Sequence, residues 1–228
     1  MTLPAGIFIA GTDTGCGKTE VTLALMAVLK KRGLRVAGMK PVASGRDAGS
    51  GLLQNEDAAR IQAASSMAVE YDSVNPWLLP EPVAPHIAAA RAGVVIDPGP
   101  VLSAFTALTQ QADTVVVEGI GGWRVPLSDS QLMPDLVAAL ALPVILVVGL
   151  RLGCINHALL SVDGITKDRA RMLGWIANHV DPDYSTAVET VGYLARAIAA
   201  PLLGEIPFMQ GEVDAVAAAA CIDLAALN

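Results

Sequence analysis

The sequence predicts an α/β fold built on a mainly parallel β-sheet. Two observations carry this. At least six short apolar runs alternate with stretches of helical character along the chain, the pattern of strand–helix–strand units. The first of these runs, Ala5 to Ala10, leads into Gly11-Thr12-Asp13-Thr14-Gly15-Cys16-Gly17-Lys18-Thr19 and then into a helical stretch, Val21 to Lys31. Strand, glycine-rich turn, Gly-Lys-Thr and helix together make a phosphate-binding loop.

The chemistry of that loop follows from its residues. Glycines allow a tight turn in which several backbone N–H groups point at one anion. The helix N-terminus adds partial positive charge. Lys18 reaches the outer phosphates, and the Thr19 hydroxyl suits the Mg²⁺ that accompanies a nucleotide. The spacing is unusual: five residues, Thr12 to Cys16, separate Gly11 from Gly17, where the common form has four.

The remaining elements follow in order. Leu34 to Met39 reads as a second strand after a helix stop at Gly33. It delivers Lys40-Pro41-Val42-Ala43-Ser44-Gly45 to the C-terminal end of the sheet, where open α/β folds bind their ligands. Lys40 stands there as a second cation for a bound phosphate. Asn55-Glu56-Asp57 opens a short helix, whose acids either serve the helix dipole or approach a metal. Six prolines fall within residues 72–100, and Pro76 to Pro85 reads as a rigid loop. Ile87 to Ala92 and Gly99 to Gln111 read as helices.

Thr114 to Val117 is a buried strand by its three valines. It ends at Glu118, followed by Gly119, Gly121 and Gly122. An acid at that place meets Mg²⁺ directly or through water, and the glycines let backbone N–H groups approach an anion. Pro143 to Gly149 is another central strand, and a helix runs from the segment Leu152–His157 to about Val162. Gly174 to Asn178 is a strand ending in an amide, which offers a nucleotide base both a donor and an acceptor. A helix over Tyr184 to Ile198, a short strand over Leu202 to Pro207 and a helical tail complete the chain.

Composition narrows the function classes. A chain of 228 residues accommodates one α/β domain with a substantial core. The charged fraction is only 16%, which points to much buried surface, a subunit interface included. The net charge of −7 argues against a nucleic-acid surface. The three cysteines, Cys16, Cys154 and Cys221, are too scattered for a metal motif and read as reduced thiols of a cytoplasmic protein. The most apolar runs, such as Leu140 to Leu150, are too short to span a membrane.

Five clusters occur together in order: Gly11-Thr12-Asp13-Thr14-x-x-Gly17-Lys18-Thr19, Lys40-Pro41-Val42-x-Ser44-Gly45, Val117-Glu118-Gly119-x-Gly121-Gly122, Leu152-Gly153-x-Ile155-Asn156-His157 and Gly204-Glu205-Ile206-Pro207. This set resembles the dethiobiotin synthetase family over nearly the full chain. The five-residue gap in the loop is the form that family uses.

The resemblance implies a three-layer fold of the P-loop NTPase type, with a seven-stranded, mainly parallel sheet flanked by helices. It implies an ATP-dependent cyclo-ligase that joins 7,8-diaminononanoate and CO₂, with Mg²⁺, in a homodimer with sites at the interface. It places catalysis on Lys18 and Lys40 and the metal on Thr19, Asp57 and Glu118. Nucleotide contacts fall on Gly15 to Glu20, Asp57, Glu118, Gly119, Gly121, Asn178, His179, Pro207, Phe208, Met209 and Asp214. Substrate contacts fall on Thr14, Ser44, Gly121 and Gly122, with Gly153, Cys154 and Asn156 supplied by the partner subunit for the substrate carboxylate.

Departures from the family pattern are local. Position 15 is Gly, where some members carry an acid near the substrate amines; His179 stands where an acid is frequent; and Thr190 replaces a tyrosine that some members bring to the carboxylate. Two other classes share the loop. Partition-type regulatory ATPases carry an additional lysine early in it, and positions 12–16 contain none here. Amidating synthetases of corrin precursors share the fold on a longer chain.

Overall fold

The structure is a computed structural model and describes residues 4–46, 54–211 and 214–225. Its main sheet has six strands: β1 (Gly6–Gly11), β2 (Val36–Met39), β5 (Thr114–Glu118), β6 (Val144–Leu150), β7 (Met172–His179) and β8 (Leu202–Ile206). Their order is β2-β5-β1-β6-β7-β8, every pair parallel. Two further strands, β3 (Val42–Ser44) and β4 (Trp77–Leu79), form a separate parallel pair.

Helices fill the two outer layers: α1 (Lys18–Lys31), α2 (Glu56–Ala63), α3 (Tyr71–Val74), α4 (Pro85–Ala92), α5 (Pro98–Thr109), α6 (Met133–Leu140), α7 (Cys154–Lys167), α8 (Ala187–Ala197) and α9 (Ala215–Ala219). Side chains along each central strand alternate between the two faces. Ile7, Ile9, Val116, Ile145 and Val147 pack under α1 and α9, while Phe8, Ala10, Val115, Val117, Leu146 and Val148 pack under the opposite layer. Both faces are covered, which is why these strands are apolar through their middle positions. Among the described residues no helix is long and apolar enough to cross a membrane.

Four expectations change. The main sheet holds six strands among the described residues rather than seven. The chain leaves the sheet edge after β2, where the Lys40 N–H donates to the Val74 carbonyl (2.8 Å), so that β3 pairs with β4 instead. The proline-rich segment 76–85 is not all loop, because Trp77–Leu79 sits between prolines as a strand with its register set by Val42–Ser44. α8 begins at Ala187 rather than Tyr184, whose hydroxyl shares a 2.7 Å hydrogen bond with that of Thr190. α7 continues to Lys167, five residues past Val162.

Topology places the site. β1 lies at the centre of the sheet, with its neighbours β5 and β6 connected on opposite sides. The crevice outside the strand ends opens at such a reversal, and there the phosphate loop, Glu118 and the end of β6 meet.

Candidate functional site

Gly17 caps α1 in the left-handed region (φ 84°), which aims the first turn of the helix at the loop. Lys18 lies back over the loop and donates to the Asp13 carbonyl (2.8 Å). The loop rests on the sheet: a Cβ at Gly149 would lie 2.8 Å from the Cys16 Cα, so the end of β6 and the loop touch through their backbones.

Lys40, at the end of β2, is 5% exposed and bonds Glu118 Oε1 at 2.5 Å and Asp57 Oδ2 at 2.9 Å. The Thr19 hydroxyl donates to the same Glu118 oxygen (3.0 Å). Burial alone would lower the Lys40 pKa, but the charges of Glu118 and Asp57 and their hydrogen bonds outweigh it and hold the ammonium above its ordinary range. Burial likewise works to raise the Asp57 pKa, and the Lys40 charge and hydrogen bond, the Thr19 hydroxyl and the Arg60 charge together bring it below the usual carboxylate value.

Thr19, Asp57 and Glu118 fit a hard divalent cation. Glu118 is 1% exposed, and its Oε2 has no hydrogen-bond partner among the described residues. An orphaned carboxylate oxygen beside a second carboxylate and a hydroxyl is an oxygen donor set of the kind Mg²⁺ takes. Among the described residues no group of three or more His, Cys, Asp or Glu side chains gathers as a metal cluster.

These groups line a cleft of about 680 Å³. Thr14, Gly15, Gly17, Lys18, Thr19, Glu20, Lys40, Ser44, Asp57, Glu118 and Gly121 all border it. The Ser44 Oγ is buried there without a partner among the described residues. Glu20 borders the cleft but is held by a two-pronged ion pair with Arg60 (2.9 and 3.0 Å). Gly121 adopts φ +60°, and Gly122 approaches the Thr12 carbonyl so closely that a Cβ would lie 3.0 Å from it. Gly119 packs on Phe8, leaving no room for a side chain. Cys16 is fully buried beneath the loop.

A second group gathers on the far side of the loop. Asn178 is buried and its Nδ2 donates to the Cys16 carbonyl (3.1 Å). It is the next-to-last residue of β7 and pairs with Ile206 of β8, so Pro207, Phe208 and Met209 follow on an adjoining strand end. His179 bonds Glu205 through Nε2 (2.7 Å). Asp214 accepts from the Val216 and Ala217 N–H groups and caps α9. Gly153, Cys154 and Asn156 lie at the start of α7 and do not border the cleft; Cys154 is buried, while Gly153 and Asn156 are exposed.

Sequence reasoning missed several residues here. Arg151 follows β6 and pairs with Asp13 of the loop. Arg124 borders the cleft and pairs with Asp168, which also accepts from the Trp123 indole (2.7 Å). Pro82 to Pro85, Val125 and Pro126 supply an apolar wall. The rule that singled out Lys40, a charge just past a strand's C-terminal end, applies equally to Arg151. Arg124 carries no such signal, since its partner is forty-four residues away.

Comparison with known proteins fits this geometry. A model of an AAA domain family matches residues 5–215. The ATP-dependent dethiobiotin synthetase BioD of Aromatoleum aromaticum is 51% identical over 219 residues, covering 96% of this chain and 97% of that protein. The protein of the same name from Xanthomonas axonopodis pv. citri is 49% identical over 204 residues, 90% of this chain and 91% of that protein. Among solved structures, the MinC:MinD cell division protein complex of Aquifex aeolicus has a TM-score of 0.58 at 16% identity, over 95% of this chain and 86% of that one. A ParA family ATPase from Chlorobium tepidum has a TM-score of 0.54 at 16% identity, over 91% of this chain and 86% of that one. At that identity the structural likeness shows the fold alone. The relatives go further, and the chain belongs to the family of ATP-dependent dethiobiotin synthetases.

Proposed function

We propose that the protein converts 7,8-diaminononanoate, CO₂ and ATP to dethiobiotin, ADP and phosphate. One observation carries this beyond the names of its relatives. Two cations, Lys18 and Lys40, and three oxygen donors, Thr19, Asp57 and Glu118, meet at one end of a cleft that also holds the unpartnered Ser44 hydroxyl. Joining an anionic carbamate to an anionic triphosphate needs cations on its path. A diamine needs a buried acceptor such as Ser44.

The nucleotide's phosphates sit in the loop from Gly15 to Glu20, with Gly119 and Gly121 beside them. Its base lies across the loop on the ledge formed by Asn178, His179 and Pro207 to Met209, with Asp214 further along. Thr19, Asp57 and Glu118 hold a Mg²⁺ that, when bound, neutralises charge on the phosphates.

One substrate amine adds to CO₂ and loses a proton to give a carbamate. A carbamate oxygen attacks the γ-phosphorus as the bond to the ADP oxygen breaks, giving a carbamic–phosphoric anhydride. The second amine attacks the anhydride's carbonyl carbon, phosphate leaves, and the ureido ring closes. Lys18 and Lys40 face the charge that develops on the transferred phosphoryl group. Thr14, Ser44 and the backbone of Gly121 and Gly122 seat the diamine.

A homodimer completes the site in this proposal, with Gly153, Cys154 and Asn156 of the second copy receiving the substrate carboxylate. The apolar exposure around the start of α7, with Leu152 at 90% and Leu160 at 62%, supports such a contact. Nothing favours a partition-type ATPase, since the loop lacks the additional lysine.

The test is product formation. Purified protein supplied with diaminononanoate, bicarbonate, Mg²⁺ and ATP is expected to yield dethiobiotin by mass spectrometry. Absence of product at saturating substrates overturns the proposal.

A further inference from the structure

We infer that Arg151 is a positioning residue for this reaction: it straps the first half of the phosphate loop so that Thr14 and Lys18 face the cleft in register. The inference rests on the proposed reaction for its kinetic consequences, and on the structure alone for the strap itself.

Arg151 is the first residue past β6, on the strand end whose Gly149 underlies Cys16. Its guanidinium donates to the Asp13 carboxylate and, at 3.3 Å, to the Thr14 carbonyl. Asp13 gathers the rest of the segment. Its Oδ1 accepts the Thr12 hydroxyl (2.9 Å), and its carbonyl accepts Lys18 Nζ (2.8 Å). His157 of α7 brings Nδ1 to 3.8 Å from the same carboxylate.

The loop needs such a strap for a physical reason. It carries one residue more than the common spacing. Thr12 is the last loop residue whose N–H bonds the adjoining strand, to the Val147 carbonyl (3.0 Å). Gly15 adopts φ +77°, and a Cβ there would find nothing within 4 Å. Residues 13–15 therefore receive no packing from a side chain at position 15. Asn178 anchors the second half of the loop at Cys16; Arg151 anchors the first.

Arg151 and Asp13 are partly exposed, at 38% and 24% of their side chains. Such a pair adds little to global stability, so its effect is local geometry. Misplacing a reacting or binding group by a fraction of an ångström to an ångström slows turnover by up to about 10²-fold.

The test compares wild type with Arg151→Ala, Arg151→Lys, Asp13→Ala and the Arg151→Ala/Asp13→Ala double variant. Arg151→Ala is expected to lower kcat by about 10- to 100-fold, with the ADP dissociation constant within about threefold and an unchanged melting midpoint. Arg151→Lys, which keeps the charge but loses the forked contact, is expected to fall between. The double variant is expected to be no slower than the slower single one, because both remove the same strap.

A kcat for Arg151→Ala within about twofold of wild type overturns the inference. So do single losses that multiply in the double variant, or a loss confined to the KM for the diamine. A readout independent of catalysis separates this from failure of the proposed reaction. Hydrogen exchange at the amides of residues 12–17 in nucleotide-free protein is expected to quicken in Arg151→Ala; unchanged exchange overturns the strap even if no dethiobiotin forms.

Discussion

Lys40 Nζ sits 2.5 Å from Glu118 Oε1 and 2.9 Å from Asp57 Oδ2, joining the end of β2 to the end of β5 and to the first turn of α2. One buried cation thus serves two carboxylates, one of them 1% exposed. Removing it leaves Glu118 buried without its counter-charge. Lys40→Met is therefore expected to destabilise the fold by about 3–5 kcal/mol and to reduce turnover by about 10²-fold or more. Urea unfolding and dethiobiotin formation measure the two effects. Turnover near wild type in a folded Lys40→Met protein removes Lys40 from the chemistry.

Gly17 carries two constraints at once. Its φ is +84°, and a Cβ there would lie 2.0 Å from the Asn178 amide nitrogen. Gly17→Ala must therefore distort the loop or expel Asn178 from its bond to the Cys16 carbonyl. Nucleotide affinity is expected to fall by about 10-fold or more, with α1 intact. Isothermal titration with ADP measures the first and circular dichroism the second. Combining the change with Asn178→Ala relieves the collision but not the backbone strain, so recovery is expected to be partial. Full recovery would show that only the collision mattered.

What could be read along the chain was chemistry set by neighbours in sequence. The loop, Lys40 and Glu118 each stand just past an apolar run, and strand ends in such a sheet point to one crevice. Asp57 was harder: Asn55 accepts from the Ala58 N–H and caps α2, so the capping role and the site role share one turn. β4 was hidden because its pairing partner, Val42–Ser44, lies thirty-five residues earlier, and prolines on either side argued for loop. Arg151 stands just past an apolar run as Lys40 does, and its partner Asp13 is brought near by folding; Arg124 declared itself only through Asp168.

Asp113 illustrates the pH dependence expected away from the site. The hydrogen bond from the Arg35 side chain, the Arg35 N–H bond and its charge hold the carboxyl below its ordinary value of 3.8. Arg35 donates to both oxygens, at 2.8 and 2.9 Å, and fastens the approach to β2 against the start of β5. A depressed folded pKa stabilises above the unfolded value and ceases to do so as pH falls through the folded one. Asp113→Asn is expected to lower the melting midpoint slightly at pH 7. The difference from wild type is expected to shrink as pH falls below 3.8. A difference that stays constant with pH would assign the effect to something other than the charge.

Ser44 gives the sharpest test of where the diamine sits. Its Oγ is buried at the cleft, the described residues offer it no hydrogen-bond partner, and it lies at the end of β3. A hydroxyl in that state is stabilised only when something in the cleft bonds to it. Ser44→Ala removes the unpaired group, so the folded protein is expected to be as stable as wild type or slightly more so. The KM for diaminononanoate is expected to rise by about 5- to 10-fold, on the scale of one neutral hydrogen bond, with the KM for ATP nearly unchanged. Steady-state kinetics varying each substrate separately measures this split. A rise in the KM for ATP alone would move Ser44 from the diamine to the nucleotide and require the cleft's apolar wall to face the phosphates instead.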